Sequence, residues 1–405
     1  MTVSPPVATR PVPPRRLAWL RSEVTEWTSQ GIISEDQAAR ISAGYSADAH
    51  ARSSVGRVLL HLGGGFVGIG LIWLVAANLD QLSPVTRFGA VTVLWLTFLG
   101  AGEVSASRQA SPSLVGAARL LAALGIGAVI FQAAQSLHVP AFEPRLLGLW
   151  SAAALLHGYL ARAYLPFLVG VLSGLSWWFA QPMWDEPDGL TVVMLFGTGA
   201  VLAAALAVLH DGRLDAFAWT WRTVAGAMAL LALFAAAIPD IGTDGIEWSV
   251  WLVGALVVAG AAAAAAAATR PGIRALEPLG AMVVLAAATL LALWSTGADT
   301  SDVDTSDWLH AAVSVAAYVL LAVALVALGT VREHPVLTWM AMTGLVVFTT
   351  FQSFAVFAPI VTGAWLFVVL GTVFLGTGFL FDRARRELAH ALDNDSPSDA
   401  EGAPR

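Results

Sequence analysis

Mostly apolar stretches follow one another from residue 58 to residue 381, and they decide what this chain can fold into. Twelve are counted, centred on 58–78, 88–105, 114–136, 146–163, 165–181, 190–209, 223–238, 248–269, 279–294, 308–330, 335–357 and 360–381. About 20 such residues, within a range of roughly 17–25, carry a helix across the hydrocarbon of a bilayer. Backbone polar groups in lipid must be satisfied inside the segment, which a helix does. The expected fold class is all-α: a polytopic transmembrane bundle of about 12 helices, with a small N-terminal cytoplasmic helical hairpin. Of the 405 residues, 57% are hydrophobic and 12% charged. Water-soluble domains carry about 25% charged residues. The surface needed by a soluble enzyme is therefore missing, and no basic patch suits nucleic acid.

The arginines test the count independently. No lysine occurs, so all 21 basic residues are Arg, which reads as the codon bias of a GC-rich bacterial genome. With the N-terminus inside and the spans alternating, 18 fall inside, from Arg10 through Arg108, Arg162, Arg213, Arg222, Arg270, Arg274 and Arg332 to the C-terminal group. Only Arg87 and Arg145 fall outside, and Arg119 lies one or two turns within the third span, from where it can snorkel outward. The positive-inside rule then places both termini in the cytoplasm of a bacterial plasma (inner) membrane. The opposite loops carry Asp185, Glu186, Asp188, Asp240, Asp244, Glu247, Asp299, Asp302, Asp304 and Asp307, with Trp177, Trp178, Trp248, Trp251, Trp294 and Trp308 nearby. That combination suggests solvated charge above an interfacial aromatic belt.

Residues 1–16 contain five prolines and are expected to be disordered, as is the polar, acidic tail 389–405. Between them, residues 17–50 read as two short helices ahead of a transmembrane domain over 51–381. Leu17, Leu20, Val24 and Trp27 recur at helical spacing, and Gly31 stops the first helix. Ser34 and Gln37 form an S-x-x-Q capping box, with Ile33 placed to staple onto Ala38. Such a hairpin is too small to stand alone and should dock, on a copy of itself, on a membrane-protein partner or on the lipid surface.

Within the spans, few polar residues stand out. Gly64 and Gly68 carry small-residue spacing that lets helices approach closely; the surrounding G-x-G-x-x-G has no strand before it to make a nucleotide site. Asn78 and Asp80 close the first span, and Gln132 and Gln135 share a face of the third. Polar groups are costly in hydrocarbon unless paired, so these four are expected to meet in a polar pocket opening outward. His61, His157, Gln352 and Ser353 are further buried polar candidates. The alanine run 261–268 reads as a close-packed interior helix. No catalytic or metal-binding motif occurs, paired intramembrane carboxylates are missing, and no cofactor is implied.

The pattern L-x-x-E-V-x-x-W-x-x-x-G-I-I-S-x-x-Q-A-x-x-I from Leu20 to Ile41, the A-A-N-L-D end of the first span, and G-I-G-A-V-I-F-Q-A-A-Q-S-L-H leading to L-G-L-W together resemble the domain of unknown function 2157 family of bacterial predicted membrane proteins. The resemblance covers roughly residues 17–180. It implies a membrane protein with a cytoplasmic helical hairpin, and no established activity. Leu79 stands where members usually carry Trp. Three function classes follow: an accessory, assembly or sensing protein that docks through its hairpin; a small-solute transporter; and an intramembrane enzyme. A polar cavity at the midplane would favour transport, and a convergent polar cluster facing one leaflet would favour catalysis.

Overall fold

The computed structural model describes residues 10–12, 14–47, 83–136, 143–183, 188–242, 246, 248–294 and 305–352, with isolated residues between 62 and 70 and between 371 and 383. The expected spans 58–78 and 360–381 fall almost entirely outside the described residues, as do Gly64, Gly68, Asn78, Asp80, His61 and Ser353. The chain divides into two compact units, Met1–Ala141 with Tyr159–Val169, and Phe142–Gly158 with Gly170–Arg405.

The first unit begins with a short strand β1 (Arg10–Val12), then helices α1 (Pro14–Ser29) and α2 (Glu35–Ala43), then β2 (Tyr45–Ala47). β1 and β2 pair in parallel, a pairing that the sequence pattern did not suggest. Gly31 takes φ 73°, a left-handed conformation open to glycine, and so ends α1. The capping box is present: Gln37 N–H donates to Ser34 Oγ at 3.3 Å, and Ser34 N–H donates to Gln37 Oε1 at 2.9 Å. On α1, Leu17 and Val24 are buried. Ser34→Ala removes one acceptor at the start of α2 and should cost about 1 kcal/mol of local helix stability. Faster amide hydrogen exchange over 35–43, with the rest of the chain unchanged, would be the readout.

Helices α3 (Pro84–Ser107) and α4 (Pro112–Ser136) pack antiparallel in the same unit. Ser83 caps α3 by accepting from Thr86 N–H. Close approach is set by small residues: Gly102 lies against the Arg119 stem and Gly125 against Trp95. The antiparallel register also brings Glu103 of α3 to Arg119 of α4, with both guanidinium prongs at 2.9 Å. Arg119 thus reaches Glu103, whose side chain is 49% exposed, so the outward snorkelling expected of it ends on an acid. Its third contact is the Ala161 carbonyl at 3.5 Å.

The second unit contains most of α5 (Pro144–Leu160) and α6 (Tyr164–Met183), then α7 (Gly189–His210), α8 (Asp215–Ala236), α9 (Val250–Thr269), α10 (Leu276–Ala292, entered by a 3-10 turn Ile273–Ala275), α11 (Thr305–Val331) and α12 (Pro335–Gln352). α7 is its axis. It is apolar on every side, and Leu190, Val193, Leu195, Ala200, Ala205 and Val208 are fully or almost fully buried against α8, α9 and α10. Asp188 caps α7 and Ser249 caps α9, each accepting from a backbone N–H three residues on. Gly197 permits α7 to approach α10, since a Cβ there would meet Leu285 within 3.1 Å of its backbone.

Among the described residues, eight helices are long and apolar enough to cross a membrane: α3, α4, α7, α8, α9, α10 with its entry turn, α11 and α12. α5 and α6 take the places of two further expected spans. Exposed apolar side chains stud the middles of the outer helices, among them Val283, Leu290, Leu320, Val346 and Val347, and suit contact with lipid. Two expectations change. The alanine run lies at the edge of the bundle: Ala259, Ala263 and Ala266 are buried against α7, whereas Ala264, Ala265 and Ala268 are exposed. Eight identical side chains have no facial contrast, so their number said nothing about burial. Trp177, Trp178 and Trp251 are half-buried and pack edge-on at 4.7 and 6.0 Å, while Trp248 and Trp308 stay exposed.

Candidate functional site

The functional candidate in the second unit is a ring of charges where four helix ends meet. Asp211 follows the last residue of α7, and the tight turn after it uses Gly212 at φ 72°. Arg222 sits two turns into α8, Glu277 in the first turn of α10, and Arg332 immediately after α11. The side chains of Arg222 and Glu277 are 6% and 5% exposed, so both charges are held in the protein interior.

Their geometry is an alternating square. Arg222 Nε donates to Glu277 Oε2 at 2.8 Å, and its Nη2 reaches Asp211 Oδ1 at 2.9 Å. Arg332 Nη1 donates to Asp211 Oδ2 at 3.2 Å, and its Nη2 donates to Glu277 Oε1. Each carboxylate thus bridges two guanidiniums, and each guanidinium bridges two carboxylates. Planar forks suit this arrangement, and burial of charge is tolerable only when every partner is engaged. Arg274 adds a third cation, 3.5 Å from Asp211 Oδ2, and Arg270 donates to the Asp211 main-chain carbonyl at 3.0 Å. Among the described residues, the side-chain cluster has three guanidiniums against two carboxylates. One donor is left over: Arg332 Nε is buried with no partner among the described residues.

His334, fully buried just before α12, lies beside the ring on the α12 side. It stacks on Trp219 with centroids 3.8 Å apart and planes 20° apart. Its Nε2 lies 3.1 Å from the Trp219 carbonyl, which assigns the proton to that nitrogen. Burial pushes its pKa below the usual histidine value, and the Arg222 charge adds to this against the opposing hydrogen bond to Trp219. The folded protein therefore holds the neutral ring. Stability from this group is complete above the unfolded pKa of about 6.5 and declines as pH falls through the lowered folded value. The melting temperature should drop more steeply between about pH 7 and about pH 5 for the parent than for His334→Phe, which keeps the stack without the titration. Equal slopes would mean that the ring is not held neutral.

Beside the ring lies a cavity of about 600 Å³ between α8, α10 and α11. Arg222, Glu277 and Arg332 form its polar end, and the remaining lining is apolar. Its floor is made of small buried residues, Ala204, Ala225, Ala229 and Ala281, while Val283 and Leu320 on its rim are 68% and 69% exposed. α10 and α11 scarcely touch, so the cavity opens sideways as a groove between them. It combines a charged end with an apolar body and a lateral mouth, which is the shape of an amphiphile site.

The residues singled out from sequence are distributed otherwise. Gln132 is half-buried and Gln135 exposed on α4, and their proposed partners Asn78 and Asp80 lie outside the described residues. His157 is half-buried in α5. Gln352 is buried on α12, and among the described residues neither its Oε1 nor its Nε2 has a partner; the same holds for the buried Ser314 Oγ of α11. Sequence reasoning sorted Arg222 and Arg332 with the loop charges and passed over Asp211 and Glu277. The available signal was Glu277, a lone acid at the mouth of an apolar run.

Residues 25–167 match the family of predicted membrane proteins DUF2157. The family segment runs from the second half of α1 into the first turn of α6, close to the extent anticipated from the motifs. It excludes the charge ring and the groove, which belong to the remainder of the chain. No curated protein and no solved structure matches.

Proposed function

We propose that this is an accessory or sensing protein of a bacterial plasma membrane that holds a membrane amphiphile in its second unit, the polar head at the charge ring and the tail along the groove. The observation that carries this reading is the continuity of Arg222, Glu277 and Arg332 with an apolar cavity that opens sideways. Ligand sites are mostly apolar with a few convergent polar groups, and this one adds an exit toward lipid. A convergent cluster at one end of the helices also fits an intramembrane enzyme, but the carboxylates are saturated by guanidiniums and none is free to act as base. The full chain, purified in mild detergent and examined by native mass spectrometry, should retain lipid. Release of the bare chain under conditions that preserve its fold would defeat the reading.

In this proposal the charge ring faces the cytoplasm, as do both termini, because Arg213, Arg222, Arg270, Arg274 and Arg332 gather at that end. Reporter fusions after Arg213 and Arg274 should read cytoplasmic, and fusions at Asp188 and Asp244 external. One inverted fusion would break the orientation. α1 and α2 serve as the docking element toward a partner or a second copy, a role supported by Trp19 and Ile32, which are 60% and 64% exposed on so short a helix pair.

A further inference from the structure

We infer that the groove holds a single hydrocarbon chain of about 16–18 carbons, and that the clasped far end of α10 and α11 sets its length. This rests on the amphiphile reading above and adds the class of tail. The first support is that the gap between α10 and α11 is bounded at both ends. At the ring, Glu277 of α10 accepts from Arg332, which follows α11. At the far end, His310 Nε2 of α11 donates to the Leu291 carbonyl of α10 at 3.2 Å, and Trp294 Nε1 donates to Ser306 Oγ at 3.0 Å. The His310 and Trp294 rings meet edge-on at 5.8 Å, and His310 and Leu291 are both buried. Between these clasps the two helices stand apart over a floor supplied by α8.

The second support is length. On α11 the lining runs from Arg332 back to Ala317, 15 positions or about 22 Å at 1.5 Å per residue. On α10 the two clasps at Glu277 and Leu291 are 14 positions apart, about 21 Å. Staggered C–C bonds of about 1.5 Å advance an extended chain by roughly 1.25 Å per carbon, so about 17 carbons span this distance.

Volume is the third support, and it agrees. A methylene takes about the space of a liquid water, roughly 30 Å³, so a cavity of about 600 Å³ admits about 20 carbons. Two chains of about 16 carbons would need about 950 Å³. Beyond the ring the lining is apolar throughout, and the small side chains of Ala225, Ala229, Ala281 and Ala324 leave the width of a chain. Methylenes there gain dispersion contacts with three helices at once.

The test uses the full chain in mild detergent, titrated with saturated monoacylglycerols of about 10 to about 24 carbons, and read by thermal shift and by native mass spectrometry. The head is uncharged and the same throughout. Micelle and groove are both apolar, so the transfer of each methylene is nearly neutral and the series reads fit. Stabilisation should rise to a maximum at about 16–18 carbons and fall beyond it. Ala287 lies at the far end of the lining. Ala287→Phe closes the last helical turn of the groove, about 5.4 Å, and should move the maximum to chains about four carbons shorter. Ala317→Leu, on the facing helix, should move it the same way by a smaller step, and serves if Ala287→Phe fails to fold. Val346→Phe adds bulk on the exposed side of α12 and should leave the maximum in place. A parent series without a maximum, or a maximum unmoved by either groove substitution, overturns the chain-length assignment and leaves the amphiphile reading standing. Failure of every chain length to bind overturns both.

Discussion

Glu277→Leu should destabilise the protein by about 3–5 kcal/mol, the range seen when one member of a buried ionic network is removed. Glu277 is the acid that holds Arg222 and Arg332 together, and all of its carboxylate interactions lie in a side chain 5% exposed. Its loss leaves two guanidiniums sharing Asp211, with Arg274 already on the same carboxylate. Their mutual repulsion is then uncompensated in a place that water reaches poorly. The measurement is equilibrium unfolding in mixed detergent micelles. The pair Arg222→Met with Glu277→Leu should recover most of the loss, because Arg332 and Asp211 remain as a matched pair and apolar replacement of a buried ion pair is often neutral or better. An unfolding midpoint unchanged by Glu277→Leu alone would show that the ring is not closed.

Phe348→Ala should cost roughly 2–3 kcal/mol, less than the 3–5 kcal/mol usual for aromatic truncation in a water-soluble core. Phe348 is fully buried and lies parallel to Tyr318, with centroids 4.0 Å and planes 3° apart; Phe234 meets it edge-on at 5.9 Å. In a bilayer the transfer part of the hydrophobic effect is largely absent, because the separated helix would be surrounded by lipid as apolar as the core. What remains is the cavity and the lost dispersion contacts of Tyr318 and Phe234. Val347, the neighbouring residue, is 53% exposed on the lipid-facing side, and Val347→Ala should have an effect within about 0.5 kcal/mol. Similar losses at the two positions would contradict the inward orientation of this face of α12.

The apolar runs of the sequence correspond to helices wherever the residues are described, because run length is a property of consecutive residues and the bilayer fixes the length required. Boundaries slipped where charges are paired. The run expected from residue 223 begins at Asp215, and the one expected from residue 279 begins at Leu276. Hydropathy excludes Arg222 and Glu277 from their spans, yet together they are buried. The Ser34–Gln37 capping box was also legible, since both partners lie within one helical turn and need nothing else.

Tertiary structure alone decided the site. Asp211, Arg222, Glu277 and Arg332 are separated by up to 121 residues, and no period links them. Each by itself reads as a loop charge, and only the two arginines follow the positive-inside bias. The groove depends on the rotation of α8, α10 and α11 about their axes, which sets whether Ala225, Ala229 and Ala281 face one another or face lipid. In water an amphipathic pattern would reveal that rotation, because the outward face must be polar. In a bilayer both faces are apolar, so α7 at the centre and α9 at the edge look alike in sequence, and only the packing of one helix on another separates them.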